Sequence, residues 1–429
     1  MKAYGQMNTE ELLALKEELT AEFEDIKSRG TSMDMSRGKP GEDQLALSMG
    51  MLDVLDSSSD MKSQGTDTRN YGQMDGLPEM KKLLADMVET DPENVIVYGN
   101  ASLNIMFDTV SRSMTHGVMG STPWCRLDRV KFLCPVPGYD RHFSITEYFG
   151  IEMIPVEMTE NGPDMDTVEK LVEGDEAVKG MWCVPKYSNP QGYTYSEETV
   201  RRLAAMKPKA ADFRIYWDNA YAVHHLYGEK ERQDWLPDIL ALCKEAGNPD
   251  MVYEFVSTSK VTFPGAGVCM AASSEANRKE FLRHLQIQTI GHDKVNQLRH
   301  VRFLRDMDGV REHMKKQGEL TLTRFEAVWK LLESELGGLG IGTWTYPRGG
   351  YFISFEAMDG CARAIVAKAK EAGLTLTPAG SSFPYKKDPK DSNIRIAPTY
   401  PSVEELQLAG RVFVLSVKLV TIDKLLENK

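Results

Sequence analysis

The chain has 429 residues, a formal net charge of −12, 41% apolar residues and 27% charged residues. That length exceeds one ordinary core, so the expectation is two domains or a large α/β domain with a smaller one appended. The composition is that of a globular protein and excludes a disordered chain. With an acidic surplus and no basic cluster interleaved with aromatics, nucleic acid is not an expected partner. An anionic small molecule stays open, because local cations set the field of a pocket.

In chain order, "NTEELLALKEELTAEFEDIKSRG" aligns Leu12, Leu15, Leu19, Phe23 and Ile26 on one stripe. Asn8 is the predicted N-cap and Glu11 holds the capping-box position, so an amphipathic helix is expected here. From Asn94 onward, short apolar runs alternate with helical stretches: "NVIVYG", "VKFLCP", "IEMIPVEM", "KGMWCVP", "FRIYWD", "MVYEFVS" and "GVCMAA". Such runs spaced by helices read as βαβ units and a mostly parallel sheet covered on both faces. From His300 to Leu336 the pattern becomes helical and charged, predicting a long connecting helix with a break near Gly318. "GGYFISFEA", a helix around Ala362–Glu371, "LTLTPAG", "NIRIAP" and a final helix from Ser402 predict a smaller α+β unit. The domains expected are therefore 1–50 (N-terminal helix and loop joining the small domain), 51–300 (large domain) and 301–429 (connecting helix and small domain). No apolar run approaches the roughly 18–20 residues of a membrane helix. The N-terminus lacks the apolar region of a signal peptide. The six cysteines are scattered without a C-x-x-C pair, suggesting neither a zinc site nor a disulfide framework. A cytoplasmic protein without metal or membrane contact is the expectation.

Parallel sheets bind ligands at the carboxyl ends of their strands. Four such ends carry polar groups: Asn100-Ala101-Ser102 after the first strand, Asn189 in "SNPQG", Asp218 with Tyr221 in "DNAY", and Ser257 with Lys260 in "STSK". Singly, each has a plain reading as a cap, a turn or a surface charge. Ser257 and Lys260 also spell S-x-x-K, a serine nucleophile with a lysine base. That reading requires S-D-N and K-T-G companions, which are absent, and a helix where "MVYEFVS" reads as strand.

Taken together, the four constellations resemble the fold-type-I pyridoxal-phosphate-dependent aminotransferases of class I, over essentially the whole chain. "MDMSRGKPGEDQLALS" and "GHDKVNQLRH" are most similar to the bacterial aspartate aminotransferase subgroup called type Ic. The resemblance implies a large domain with a mixed, mostly parallel sheet, a small domain built from both chain ends, and a homodimer with shared active sites. It also implies ping-pong transfer between aspartate and 2-oxoglutarate through an internal aldimine on Lys260. Lysine suits that role, because burial lowers its pKa and frees the amine for a Schiff base and for proton transfer.

The resemblance gives Asp218 the pyridine nitrogen, Tyr221 and Asn189 the ring's 3-oxygen, and Tyr139 the ring face. Asn100, Ala101, Ser102 and Ser257 fall to the phosphate, with Tyr71 reaching the phosphate of the neighbouring subunit. The chain departs from the pattern at "FPGAGV", where Gly267 replaces the arginine that usually neutralises the phosphate. Either another cation substitutes, with Lys294 the candidate against a plain surface lysine, or the site is weaker. Arg395 in "NIRIAP" is the expected partner of the substrate α-carboxylate, because its forked donors match a carboxylate. The alternative is an internal salt bridge. For a distal carboxylate, Arg37 and Lys39 beside Gly38 are favoured, with Arg348 competing. Other readings are an aminotransferase of alanine or broad specificity, a lyase or synthase on the same fold, and a non-catalytic effector-binding relative.

Overall fold

The computed structural model describes residues 2–429. Its centre is an eight-stranded sheet: β1 (Val95–Val97), β2 (Lys131–Val136), β3 (Glu152–Thr159), β4 (Gly162–Pro163), β5 (Val178–Cys183), β6 (Arg214–Asp218), β7 (Val252–Ser257) and β8 (Cys269–Ala272), in spatial order β1-β8-β7-β6-β5-β2-β3-β4. The run from β7 to β3 is parallel; β8 is antiparallel to both its neighbours, and β4 is antiparallel to β3. Buried on both faces, the central strands read as nearly continuous apolar runs. Because β1, β2, β5, β6 and β7 run the same way, the segments that follow them emerge at one edge.

Helices α1 (Thr9–Ser28), α2 (Ser102–His116), α3 (Asp140–Tyr148), α4 (Lys294–Leu304), α5 (Met307–Leu336) and α6 (Val403–Glu427) frame the rest. The predicted start of α1 holds. Glu11 N–H donates to Asn8 Oδ1 at 2.8 Å, and Asn8 N–H donates back to Glu11 at 2.6 Å. Leu12, Leu19, Phe23 and Ile26 of its stripe are buried in a second core with α5, α6 and the three-stranded sheet β9 (Gly342–Trp344), β10 (Ile353–Ala357) and β11 (Asn393–Ile396). Residues from both ends of the sequence thus share one core, separate from those flanking the eight-stranded sheet.

The connecting helix differs from expectation. It runs unbroken through Gly318, and the interruption lies between α4 and α5, where Arg305 has φ +66° and the Asp306 side chain caps α5 by accepting from Gly309 N–H at 2.9 Å. Gly318 serves a close approach instead: a Cβ there would stand 2.5 Å from the His225 carbonyl oxygen. Within "LTLTPAG" the strand is Leu374–Thr375, paired with Met33–Asp34.

Candidate active site

Asp218 ends β6 and is 3% exposed. Its Oδ2 lies 2.9 Å from His142 Nε2. A carboxylate only accepts, so His142 donates through Nε2–H. The imidazole is held flat against Trp182, with ring centroids 4.4 Å apart and planes 10° apart. The other oxygen, Oδ1, is buried with no partner. Burial of an unpaired carboxylate oxygen is costly, so this atom asks for a donor that the protein does not provide. A protonated pyridine nitrogen is such a donor.

Lys260 lies in the loop after β7, with Nζ 4.9 Å from the Tyr221 ring centroid and 5.8 Å from that of Tyr351. Burial lowers its pKa; Asp218 opposes the fall and Arg395 adds to it. The amine is therefore closer to its neutral, nucleophilic form than an exposed lysine. Tyr221 is 3% exposed, and burial, reinforced by Tyr139 and Asp218, pushes its hydroxyl well above the ordinary value. It stays a phenol, able to donate. Tyr139 caps α3 and packs edge-on against His142 at 4.9 Å. Behind Tyr221, burial pushes His224 down to about 3, leaving a neutral imidazole against Tyr221 and Tyr351.

The N-terminus of α2 presents Ala101 as an N-cap with no side-chain cap, leaving the first N–H groups of the helix for an anion. Ser259 Oγ donates to Asn100 O at 3.2 Å, and Ser257 Oγ donates to Ser259 Oγ at 3.0 Å, so these hydroxyls gather beside Asn100. Gly267 passes so near that a Cβ would stand 3.0 Å from Asn100 O and 3.2 Å from Ser259 N. A side chain in the arginine's usual place would crowd this cradle. Asn296 Nδ2 ties the same loop to α4, donating to the carbonyls of Ala266 and Gly267 at 3.0 Å each. Two residues before it, Lys294 is 5% exposed, against the plain reading of a surface lysine. Its Nζ would be 3.7 Å from a Cβ on Gly291.

Arg395, on β11, is also buried. Nη1 donates to Asp140 Oδ1 at 3.0 Å and to Asn189 Oδ1 at 3.2 Å. Nη2 donates to Thr377 Oγ1 at 3.2 Å and to Ser36 O at 3.5 Å, while Nε is buried without a partner. The guanidinium carbon stands 4.8 Å over the Phe352 ring. Gly38 packs against the same ring so closely that a Cβ would collide with it. The internal salt bridge to Asp140 is thus present at Arg395, and Nε is left as a donor without a partner in the protein.

The structure brings Lys260, Asp218, Tyr221, Asn189, Tyr139 and Arg395 into one cluster, with Asn100, Ala101, Ser102 and Ser257 at the neighbouring strand ends. Tyr71 stands outside it on the surface, 77% exposed. Of the distal cations, Arg37 is exposed, Lys39 Nζ lies 3.6 Å over the Tyr400 ring, and Arg348 is drawn toward Asp234 at 3.7 Å. Sequence reasoning missed His142, Asp140, Ser259, Tyr351, Phe352 and Thr377. The "YDRH" that begins α3 contains the signal for two of them, since its Asp and His follow a strand-end tyrosine directly. Phe352 and Thr377 left none, because they come to Arg395 from segments far from the strand-end motifs in the chain.

Comparisons with known proteins show the family and the fold. A family model described as aspartate amino-transferase matches residues 7–429. An aspartate aminotransferase of Corynebacterium glutamicum is 47% identical over 395 residues, covering 92% of this chain and 90% of the relative. A crystal structure of an aspartate transaminase from Corynebacterium glutamicum superposes with a TM-score of 0.95 at 44% identity, covering 99% of each chain. The fold is also that of the α-aminoadipate aminotransferase LysN of Thermus thermophilus, complexed with N-(5′-phosphopyridoxyl)-L-leucine: TM-score 0.73 at 18% identity, covering 91% of this chain and 93% of that one.

Proposed function

The chain belongs to the aspartate amino-transferase family, and on that premise we propose that this aminotransferase exchanges amino groups between aspartate and 2-oxoglutarate, with pyridoxal 5′-phosphate as cofactor and a ping-pong cycle. The observation that carries the cofactor is the buried, unpartnered Asp218 Oδ1 at a strand end, backed by the phosphopyridoxyl adduct in the LysN structure. Aspartate is supported by the relatives named for that activity.

When bound, pyridoxal phosphate supplies an aldehyde carbon for the amino group and a ring that draws electrons from the substrate Cα. Asp218 Oδ1 accepts from the protonated ring nitrogen, with His142 holding the carboxylate in place. Tyr221 and Asn189 donate to the ring's 3-oxygen, and Tyr139 covers the ring. The α2 N-terminus, Ser102 and Ser257 hold the phosphate, with Lys294 as the replacement cation and Tyr71 of a second copy completing the site in a homodimer. The Lys260 amine, buried and so nearer its neutral form, would be the group that accepts and releases the proton at the substrate Cα. Arg395 binds the α-carboxylate, and Arg37, beside Gly38 and Lys39, meets the distal one. Domains of 51–300 and of 301–429 joined by 1–50, and a cytoplasmic location, complete the proposal.

The test is a panel of amino donors with 2-oxoglutarate, following the visible absorbance of purified protein in half-reactions. Aspartate and glutamate should react fastest, and product analysis should find oxo acid without elimination or condensation. Lys260→Ala should abolish both borohydride trapping of the cofactor and turnover. Survival of either overturns the assignment of Lys260.

A further inference from the structure

Arg395 is already paired with an acidic side chain of its own molecule. We propose that Asp140 is an internal counter-ion that competes with ligand carboxylates for Arg395 and thereby sets how tightly they bind. The inference rests on the reading of Arg395 as the carboxylate-binding residue.

Three features support competition rather than permanent pairing. First, the pair is lopsided: the Arg395 side chain is 8% exposed and that of Asp140 is 31% exposed. The guanidinium is enclosed by Thr377, Ser36, Asn189 and Phe352, whereas the carboxylate stands where it can turn to water. Second, the other groups hydrogen-bonded to the guanidinium, Asn189 Oδ1, Thr377 Oγ1 and the Ser36 carbonyl, are neutral. When Asp140 turns away, a buried positive charge is left without an anion, which is the state that most strongly recruits one. The unpartnered Nε offers a further donor to the newcomer. Third, Asp140 is the first residue of α3. A carboxylate in the first turn of a helix is stabilised by the free N–H groups there, so Asp140 keeps a favourable position after giving up Arg395. Its backbone stays anchored meanwhile, since Asp140 O accepts from Ser144 Oγ at 2.8 Å.

The opposite role is that Asp140 merely orients Arg395, and the two roles predict opposite signs. Under competition, Asp140→Asn keeps the size and a hydrogen-bond acceptor but removes the rival charge. Binding of succinate, a carboxylate that cannot react, should tighten about fivefold, the ratio corresponding to ~1 kcal/mol of competing ion pair. The change should be seen in the holoenzyme, as a lower inhibition constant and as a lower KM for aspartate rather than a higher kcat. It should also be seen by calorimetry on the cofactor-free chain. Chloride should inhibit the variant more strongly than the parent. Asp140→Glu, which restores the charge, should return succinate binding toward the parent value, and Asp140→Ser provides the same comparison as Asn if that variant folds poorly. Arg395→Ala should remove the effect in every background.

Unchanged or weaker succinate binding in Asp140→Asn and Asp140→Ser overturns the proposal, as does tight succinate binding that survives Arg395→Ala. Failure of the aminotransferase reading would look different: the parent enzyme would not react with aspartate in half-reactions, whatever succinate binding showed.

Discussion

The two ends of the site are built differently. The proposed cofactor end comes from one sheet, with Asn100–Ser102, Tyr139, Asn189, Asp218 and Ser257–Lys260 all at or just after the carboxyl ends of strands that run the same way. The carboxylate end is gathered from remote segments: Ser36 and Gly38 near the N-terminus, Asp140 and Asn189 from segments that follow strands of the large sheet, and Phe352, Thr377 and Arg395 from the C-terminal part of the chain. The first is fixed by backbone pairing within one sheet and tolerates little displacement. The second depends on how two cores meet, so binding preference can change there without disturbing the chemistry.

Breaking the sheet-edge end should have the largest effect. Asp218→Ala removes the acceptor for the ring nitrogen and leaves His142 buried without its partner. Since positioned proton-handling groups contribute about 10²–10⁴-fold, kcat for aspartate should fall by roughly 10³-fold, with cofactor loss visible as reduced absorbance on dialysis. Retention of near-parent kcat would remove Asp218 from that role.

Disturbing the carboxylate end should give a smaller and more selective change. Arg37→Ala should raise KM for aspartate about tenfold, as loss of a charged contact worth ~1.4 kcal/mol implies, and leave KM for alanine nearly untouched. Parallel increases for both donors would assign the distal carboxylate elsewhere, with Lys39 and Arg348 next to be tested.

The smallest effect separates stability from chemistry on the sheet itself. Glu254 lies on β7 and is 2% exposed, accepting from Asn219 Nδ2 at 3.1 Å. Burial first, then Asp238, pushes its carboxyl up to about 8 from 4.5. The folded state therefore holds a proton that the unfolded state has released, between pH 4.5 and about 8. Within that window the folded state binds more protons, so this group's contribution to stability is full below the window and falls as pH rises through it. Glu254→Gln mimics the protonated form. Its Tm should match the parent near the lower end of the window and exceed it near the upper end. A constant difference at every pH would contradict the raised carboxyl.

Legibility followed the same division. The strand-ending motifs were readable because short apolar runs give way to polar and glycine-bearing segments, and parallel strands bring their ends to one edge. The α1 cap and stripe were readable because capping is local in sequence. The break placed at Gly318 was misread because a glycine in a helix signals either an interruption or a close contact, and only packing against the His225 carbonyl decides which. His142 was within reach of the motif beside it, yet its stacking on Trp182 and its bond to Asp218 join three separate strands' surroundings.

By itself the sequence determined the α/β class, the run of strands, the lysine and the polar groups at the strand ends, because these depend on short-range patterns and on the geometry of a parallel sheet. Tertiary structure alone decided that Asp140 faces Arg395, that Lys294 is buried, and that Gly267 lies close against Asn100 and Ser259. Those facts depend on distances between segments far apart in the chain, for which local periodicity carries no information.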